Sequence, residues 1–246
     1  MLAGVFQSRF KPVVQSLKQM VDGGILGDLY AAGCYVNRYR TQQYYDSGAW
    51  RGTWAVDGGG CLMNQGIHFA DLFVWFAGEV EEVIGITETK GRRVEIETLA
   101  TALVKFRGGA RGILSASTLA YPEFPDRIEL IGSRGTLTFT DERVLHLELM
   151  DPTPAEAAAR EALLEECRRR ASAETGLTKP AVAPGTAVPA VDLGHTPVVR
   201  DFVDAARTGR RPAVDGREAR RSVEFITAIY ESSRGGGRPV RFSHAP

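Results

Sequence analysis

The chain is short of the residues that would staple, export or electrically steer it. Its 246 residues hold three cysteines, Cys34, Cys61 and Cys167, odd in number and widely spaced. That argues against a disulfide framework and a cysteine zinc site, and it fits a reducing cytoplasm. No apolar run reaches the ~18 residues of a membrane span, and no basic flank precedes a long apolar stretch near the amino terminus; neither export nor membrane insertion is expected. Thirty Lys plus Arg are matched by thirty Asp plus Glu, so no long-range field favours nucleic acid or an acidic membrane surface. The Arg168, Arg169, Arg170 run reads as a solvated helix face. No G-x-G-x-x-G turn opens a helix anywhere in the sequence, so that signature of a dinucleotide site is missing. What is present, 43% hydrophobic and 24% charged residues, suits a single domain over residues 1–246 built on one main core.

The most informative stretch runs from Trp50 to Gly78, WRGTWAVDGGGCLMNQGIHFADLFVWFAG. It carries Asn64, Gln65 and His68 on an otherwise apolar helix behind Gly58, Gly59 and Gly60. At about 100° per residue, Asn64, His68 and Asp71 fall within about 60° of one another, while Leu62, Ile67, Phe69, Phe73 and Phe76 supply packing surface. Glycines let backbone pass close to something, and a helix amino terminus offers N–H groups to a polar ligand. The arrangement points to a substrate pocket. Two plainer readings stand beside it: a lone His on such a helix is more often a hydrogen-bonded core residue, and a triple glycine also suits a loose loop.

The segment Arg38 to Trp54 is rich in Arg, Tyr, Gln and Trp. Tyr39, Trp50 and Arg51 there suit hydrogen bonding to hydroxyls and stacking on a sugar ring, or simply surface covering. Arg51 suits a carboxylate or phosphate, with a surface salt bridge as the default. His146, His195 and His244 have no neighbours in sequence that suggest chemistry, and His195 reads as a capping or packing residue.

Pattern and turn signals lay out the elements. Leu2 to Gln7 reads as a short strand with an exposed edge, and Pro12 to Asp22 as a helix stopped by Gly23-Gly24. Tyr30 to Arg40 reads as a strand. After the motif helix come strands at 80–89, 96–106, 110–119, 127–131, 136–139 and 144–149, a succession that favours antiparallel pairing, with glycine turns at 107–109 and 133–135. Thr153 and Glu156 form a capping box for a helix running towards Gly176. Residues 151–190 as a whole read as an irregular insertion, because Pro180, Pro184 and Pro189 punctuate its second half. A helix starts near Thr196-Pro197 and stops at Gly209, Asp215 and Glu218 cap another, and Pro239 to Phe242 adds a last strand.

The pattern W-R-G-T, G-G-G, N-Q-G-I-H-x-x-D-L and Gly78, together with FQSRFKPVVQSLKQMVDGGILGDL near the amino end and the helices and strand from His195 to Phe242, resembles the carboxy-terminal domain of the glucose-fructose oxidoreductase and inositol dehydrogenase family (Gfo/Idh/MocA). The resemblance is weak between about 150 and 190. It implies an α+β fold with a large, predominantly antiparallel, open-faced sheet and helices on one face, like the second domains of dihydrodipicolinate reductase and glyceraldehyde-3-phosphate dehydrogenase. It implies hydride transfer between NAD or NADP and a sugar, sugar derivative or polyol, with His68 catalytic and Asn64, Arg51, Trp50, Tyr39 and Gln65 binding substrate. It also implies self-association through the open sheet face. The family's nucleotide domain and its catalytic lysine have no counterpart in this sequence, so no complete cofactor site is expected here. Residues 1–10 then read as the link from an absent or separate nucleotide-binding domain. In many relatives an aspartate stands four residues before the His, where this chain has Asn64. An amide takes no proton at neutral pH but does hydrogen-bond a hydroxyl. The alternatives are a non-catalytic sugar-binding or partner-binding module and a part of an NAD-dependent glycosidase of the same family.

Overall fold

The computed structural model describes residues 1–174 and 194–243. A 3-10 turn, Gln7–Phe10, leads into α1, Pro12–Asp22, and β1, Leu29–Asn37. The short α2, Gln42–Asp46, and a long loop precede α3, Ile67–Ala77. Strands β2 (Val80–Glu88), β3 (Leu99–Phe106), β4 (Arg111–Ser117), β5 (Arg127–Gly132), β6 (Gly135–Phe139) and β7 (Val144–Leu149) follow. Helices α4 (Pro154–Glu174), α5 (His195–Thr208) and α6 (Gly216–Arg234) and a two-residue β8, Val240–Arg241, complete the chain.

The strands form one eight-stranded sheet in the order β7-β6-β5-β1-β4-β3-β2-β8. Period-two burial decides its faces. In β3, Ala100, Ala102, Val104 and Phe106 are buried while Thr101 and Leu103 point outward, and β4 repeats this with Leu114 and Ala116 inside. Helices α3 and α6 lie on the buried face, where Phe73 meets Phe106 edge-on at 5.3 Å and Phe225 at 6.0 Å. The other face is open. Ile86, Leu103, Ile113 and Ile131 stand exposed on it, and a shallow groove of about 390 Å³ runs past Ala31, Tyr35, Ile113 and Ile131. This is the α+β, open-faced architecture that the resemblance implied.

Every pair is antiparallel except β1 with β4, which run parallel from Ala31↔Arg111 to Asn37↔Ser117. The exception follows from the route of the chain: α3 and the β2–β3 hairpin separate β1 from β4, which leaves room for a crossover.

Two expectations are corrected. Leu2 to Gln7 is not a strand: Ala3 makes one isolated bridge to Asp215, Gly4 donates to Val214 at 2.9 Å, and the chain then coils into the 3-10 turn. The buried Ser8 and Arg9 explain this, because their side chains reach Asp141 and Asp71 only from a coiled segment. The motif helix is also shorter than its polar face implied. It begins at Ile67 with Gly66 as N-cap, so Asn64 and Gln65 lie in the preceding turn. That turn is tight enough that a Cβ on Gly66 would sit 2.6 Å from the Cys61 carbonyl oxygen. The Thr153–Glu156 capping box forms as read, with reciprocal bonds, whereas Asp215 caps α6 alone, accepting from the N–H groups of Arg217 and Glu218 while the Glu218 carboxylate turns to Arg9 and Arg221. Helix α5 starts at His195, just ahead of the Thr196-Pro197 signal, and Gly209 ends it with φ of +73°. The proline-rich stretch of the 151–190 segment and His244 lie outside the described residues.

Candidate substrate site

Three elements converge at the amino end of α3. Arg9, on the 3-10 turn, donates to both oxygens of Asp71 at 2.7 and 2.8 Å, and Ser222 of α6 adds a bond of 2.6 Å to the same carboxylate. Arg9 also reaches Glu218 at 3.1 Å and lies 4.7 Å from the Trp75 ring centroid. Asp71 is wholly buried and Arg9 nearly so. Three donors thus meet the buried Asp71 carboxylate, and the Arg9 guanidinium is shared between two acidic side chains.

One helical turn earlier stands His68. Its Nε2 lies 3.1 Å from Nε2 of Gln7, and Phe6 packs edge-on against its ring at 6.0 Å between centroids. Its Nδ1 and the Gln7 Oε1 are buried with no hydrogen-bond partner among the described residues. Burial lowers the imidazole below its ordinary value. The charges of Asp71 and Asp141 oppose that shift, and those of His195 and Arg38 reinforce it. The half-buried ring is therefore held towards its neutral form.

The loop ahead of α3 is tied down by Glu97, which is 2% exposed. Its carboxylate accepts from the N–H groups of Gly60 at 2.9 Å and Leu62 at 3.0 Å and from the Tyr230 hydroxyl at 2.9 Å. Burial raises the carboxyl while these donors hold it down. The glycines serve this packing. A Cβ on Gly60 would lie 1.9 Å from the Glu97 carbonyl oxygen, and Gly59, at φ of +150°, faces the Tyr230 hydroxyl. Gly59 and Gly60 press against the protein itself, whereas a Cβ on Gly58 would meet only Met63 at 3.9 Å.

Beyond the glycines a polar chain runs outward. Asn64 donates to Asp57, Gln65 donates to Asn64, and Gln65 also donates to the Tyr44 hydroxyl at 3.2 Å. The Arg51 guanidinium lies between two rings, 4.3 Å from the Tyr44 centroid and 4.4 Å from that of Trp50. Asn64, Gln65, Arg51 and Trp50 thus form one connected group through Tyr44. Tyr39 adjoins this group through Arg40, which donates to the Tyr39 carbonyl oxygen at 2.8 Å and lies 5.4 Å from the Tyr44 ring centroid; it packs on Tyr121 at 5.0 Å and beneath Arg92 at 5.4 Å, with its backbone N–H on Glu123. His68 is joined to Gln7 and has no described bond to the Asn64 chain.

Sequence reading missed Gln7, Tyr44, Asp57 and Glu97. Gln7 was hidden in the supposed strand, and Tyr44 in a segment recognised only by composition. Glu97 opens a strand pattern that gave no reason to bury a carboxylate. Among the described residues no group of three His, Cys, Asp or Glu could hold a metal ion, and no helix is long and apolar enough to cross a membrane. Of the two triple glycines, Gly58–Gly60 enters the Glu97-bound turn and Gly235–Gly237 closes α6.

The chain is similar to known proteins over most of its length. Residues 14–138 match the model of the GFO/IDH/MocA C-terminal domain. The chain is 30% identical over 99 residues to myo-inositol 2-dehydrogenase of Thermotoga maritima, covering 38% of this chain and 29% of that protein. It is 24% identical over 179 residues to D-apiose dehydrogenase of Paraburkholderia graminis, covering 70% of this chain and 42% of the relative. Its structure resembles that of the WlbA dehydrogenase from Bordetella pertussis in complex with NADH and UDP-GlcNAcA, with a TM-score of 0.81 and 30% identity over 99% of this chain and 65% of that one. The chain therefore spans less than two thirds of the length of each of these proteins. By the match over residues 14–138, the chain belongs to the Gfo/Idh/MocA family and carries its C-terminal domain.

Proposed function

We propose that the chain is the substrate-binding half of an NAD(P)-dependent oxidoreductase that oxidises a carbinol of a sugar, sugar derivative or polyol. The observation that carries this reading is the family match over residues 14–138, which includes His68, an imidazole that burial holds towards its neutral form, on the helix that Asn64 and Gln65 lead into. Bound NAD or NADP, held by a separate domain, would accept the hydride. On this chain, His68 orients the reacting hydroxyl and takes its proton, since a neutral imidazole is a competent base near pH 7. Asn64 cannot take that proton. Its amide, with Gln65, hydrogen-bonds neighbouring hydroxyls, while Trp50 and Arg51 offer a flat stacking edge. Tyr39, linked to Tyr44 through Arg40, is a further contact in this reading. The three free cysteines are all buried, which suits a cytoplasmic protein.

The test joins this chain to a nucleotide-binding domain, as a native longer protein or a reconstituted pair, and follows NAD(P)H formation with UDP-GlcNAcA, myo-inositol and D-apiose. The expected result is turnover that His68→Ala abolishes while the circular dichroism spectrum stays unchanged. Wild-type turnover by that variant would remove His68 from the mechanism. Sugar binding without any nucleotide dependence would instead mark a binding module, and net glycoside cleavage without net cofactor reduction would mark a glycosidase.

The exposed Ile86, Leu103, Ile113 and Ile131 support a second part of the proposal, self-association through the open sheet face. Ile113→Glu should then convert a dimer or larger assembly to monomer in sedimentation. A wild-type protein that is already monomeric at micromolar concentration would contradict this.

A further inference from the structure

Two arginines of this domain each lie against two aromatic rings, and they spend their N–H groups differently. Arg9 lies 5.9 Å from the Phe6 centroid and 4.7 Å from that of Trp75, and its guanidinium is shared between Asp71 and Glu218. Arg51 lies 4.3 Å from the Tyr44 centroid and 4.4 Å from that of Trp50. Its half-buried side chain makes no hydrogen bond or ion pair among the described residues, and all of its nitrogens keep contact with solvent. A ring attracts the charge of a guanidinium without accepting its N–H groups along the fork. Those donors are left over.

The acids of α2 and the neighbouring loops are committed elsewhere. Asp57 accepts from Asn64 and from the Gly52 N–H at 2.9 Å, and Glu95 accepts from the Trp54 N–H at 3.1 Å. Asp46 accepts from Gln42 at 2.9 Å, and Glu123 takes Arg38 and Arg40. The surface salt bridge that is the default for Arg51 is therefore not formed.

The backbone on both sides of Arg51 is nonetheless fixed. Its own N–H bonds the Gly48 carbonyl at 3.0 Å, and Gly52, at φ of +76°, bonds Asp57 through its N–H and Glu95 through its carbonyl, each at 2.9 Å. Tyr44, the ring under the guanidinium, meets Gln65 through its hydroxyl at 3.2 Å, so one side chain joins Arg51 to the amides ahead of α3. Holding a long side chain in one place costs rotamer entropy, and an arginine meant only for water has no need of such a seat. A seated guanidinium with an open fork matches the two oxygens of a carboxylate or phosphate.

We infer that Arg51 receives an oxyanion, a carboxylate or phosphate, carried by the sugar, so that the preferred substrate is an acidic sugar and not a neutral sugar or polyol. That a sugar binds here rests on the function proposed above, whereas the oxyanion site rests on Arg51 and its surroundings.

The test uses the folded chain, with calorimetry and the 15Nε–Hε NMR signal of Arg51, assigned by its loss in Arg51→Met. The ligands are D-glucose, D-glucuronate, D-glucose 6-phosphate and inorganic phosphate. At least one charged sugar should bind wild type about 10- to 100-fold more tightly than glucose, the range for hydrogen bonds to a charged group, and should shift the Arg51 signal. Stronger binding of glucuronate marks a carboxylate site, and of glucose 6-phosphate a phosphate site. Arg51→Met should bring the ratio of charged to neutral affinity to about one, and Arg51→Lys, which keeps the charge without the fork, should keep only part of it. Charged and neutral sugars that bind wild type equally would overturn the inference and leave the sugar reading standing. A preference that survives in Arg51→Met would overturn it too, because the anion would sit elsewhere. Inorganic phosphate that shifts the Arg51 signal while no sugar binds would support the oxyanion site and sink the sugar reading. Silence from every ligand would overturn both.

Discussion

His68 and Asp71 sit one helical turn apart on α3, and both reach back to the same 3-10 turn, yet they have opposite characters. Asp71 is wholly buried and meets two Arg9 nitrogens and the Ser222 hydroxyl at 2.6 to 2.8 Å. His68 is half-buried, has one described contact at 3.1 Å and keeps an unpartnered nitrogen. A polar group whose capacity is fully used within the fold can hold elements together but has nothing left for a ligand. One whose capacity is half used can bind. The contrast separates a staple from a partly used polar group within four residues of a single helix.

The sharpest way to break the comparison is Asp71→Ala. It strands a buried guanidinium and the Ser222 hydroxyl, and removing one partner of a buried ion pair costs about 3–5 kcal/mol. Urea unfolding should report a loss of that size. A loss under about 1 kcal/mol would mean that Arg9 is satisfied by Glu218 alone and that the staple is redundant.

Glu97→Gln comes next. The amide keeps one acceptor oxygen where the carboxylate offered two, so its NH2 faces either the Gly60 N–H, which bonds Oε2, or the Leu62 N–H, which bonds Oε1. A stranded buried donor costs about 1–3 kcal/mol. Hydrogen exchange should quicken at Gly60 and Leu62 while β3 and β4 amides hold their protection. Uniform quickening across the sheet would instead make Glu97 a support of the whole core. This result also bears on the comparison, because the Glu97 turn leads directly into the helix that displays His68.

How far these features were legible in the sequence depends on their range. Strands β2 to β7 came through to within a few residues, because period-two alternation and glycine turns at Gly109 and Gly135 are local signals. Caps at Thr153 and Asp215 were equally local. The helical wheel placed Asn64, His68 and Asp71 on one face because periodicity cannot see that Gly66 starts the helix late or that Arg9 claims Asp71 from 62 residues away. Gln7 and Glu97 were invisible for the same reason. Each acquires its task only when the 3-10 turn, the glycine loop and α6 are brought together, and the distance in sequence from Glu97 to Tyr230 is 133 residues. Site chemistry in this domain is long-range, whereas its scaffold is short-range.

The smallest effect sharpens the comparison from the other side, through pH. Burial depresses the His68 imidazole in the folded protein while the unfolded chain keeps the ordinary value, about 6.5. Above that value both states hold the ring neutral and stability is indifferent to it. As pH falls below about 6.5 the unfolded chain takes the proton first, so it binds more protons than the folded one and stability declines. The decline levels off below the depressed folded value. Measured as the difference in unfolding free energy between wild type and His68→Gln, wild type should lose ground steadily from pH 7 to pH 5, by less than either substitution above. A flat difference would mean that Asp71 and Asp141 attract the ring proton as strongly as burial repels it. His68 would then be an ordinary surface-range histidine, and the contrast with Asp71 would rest on hydrogen bonding alone.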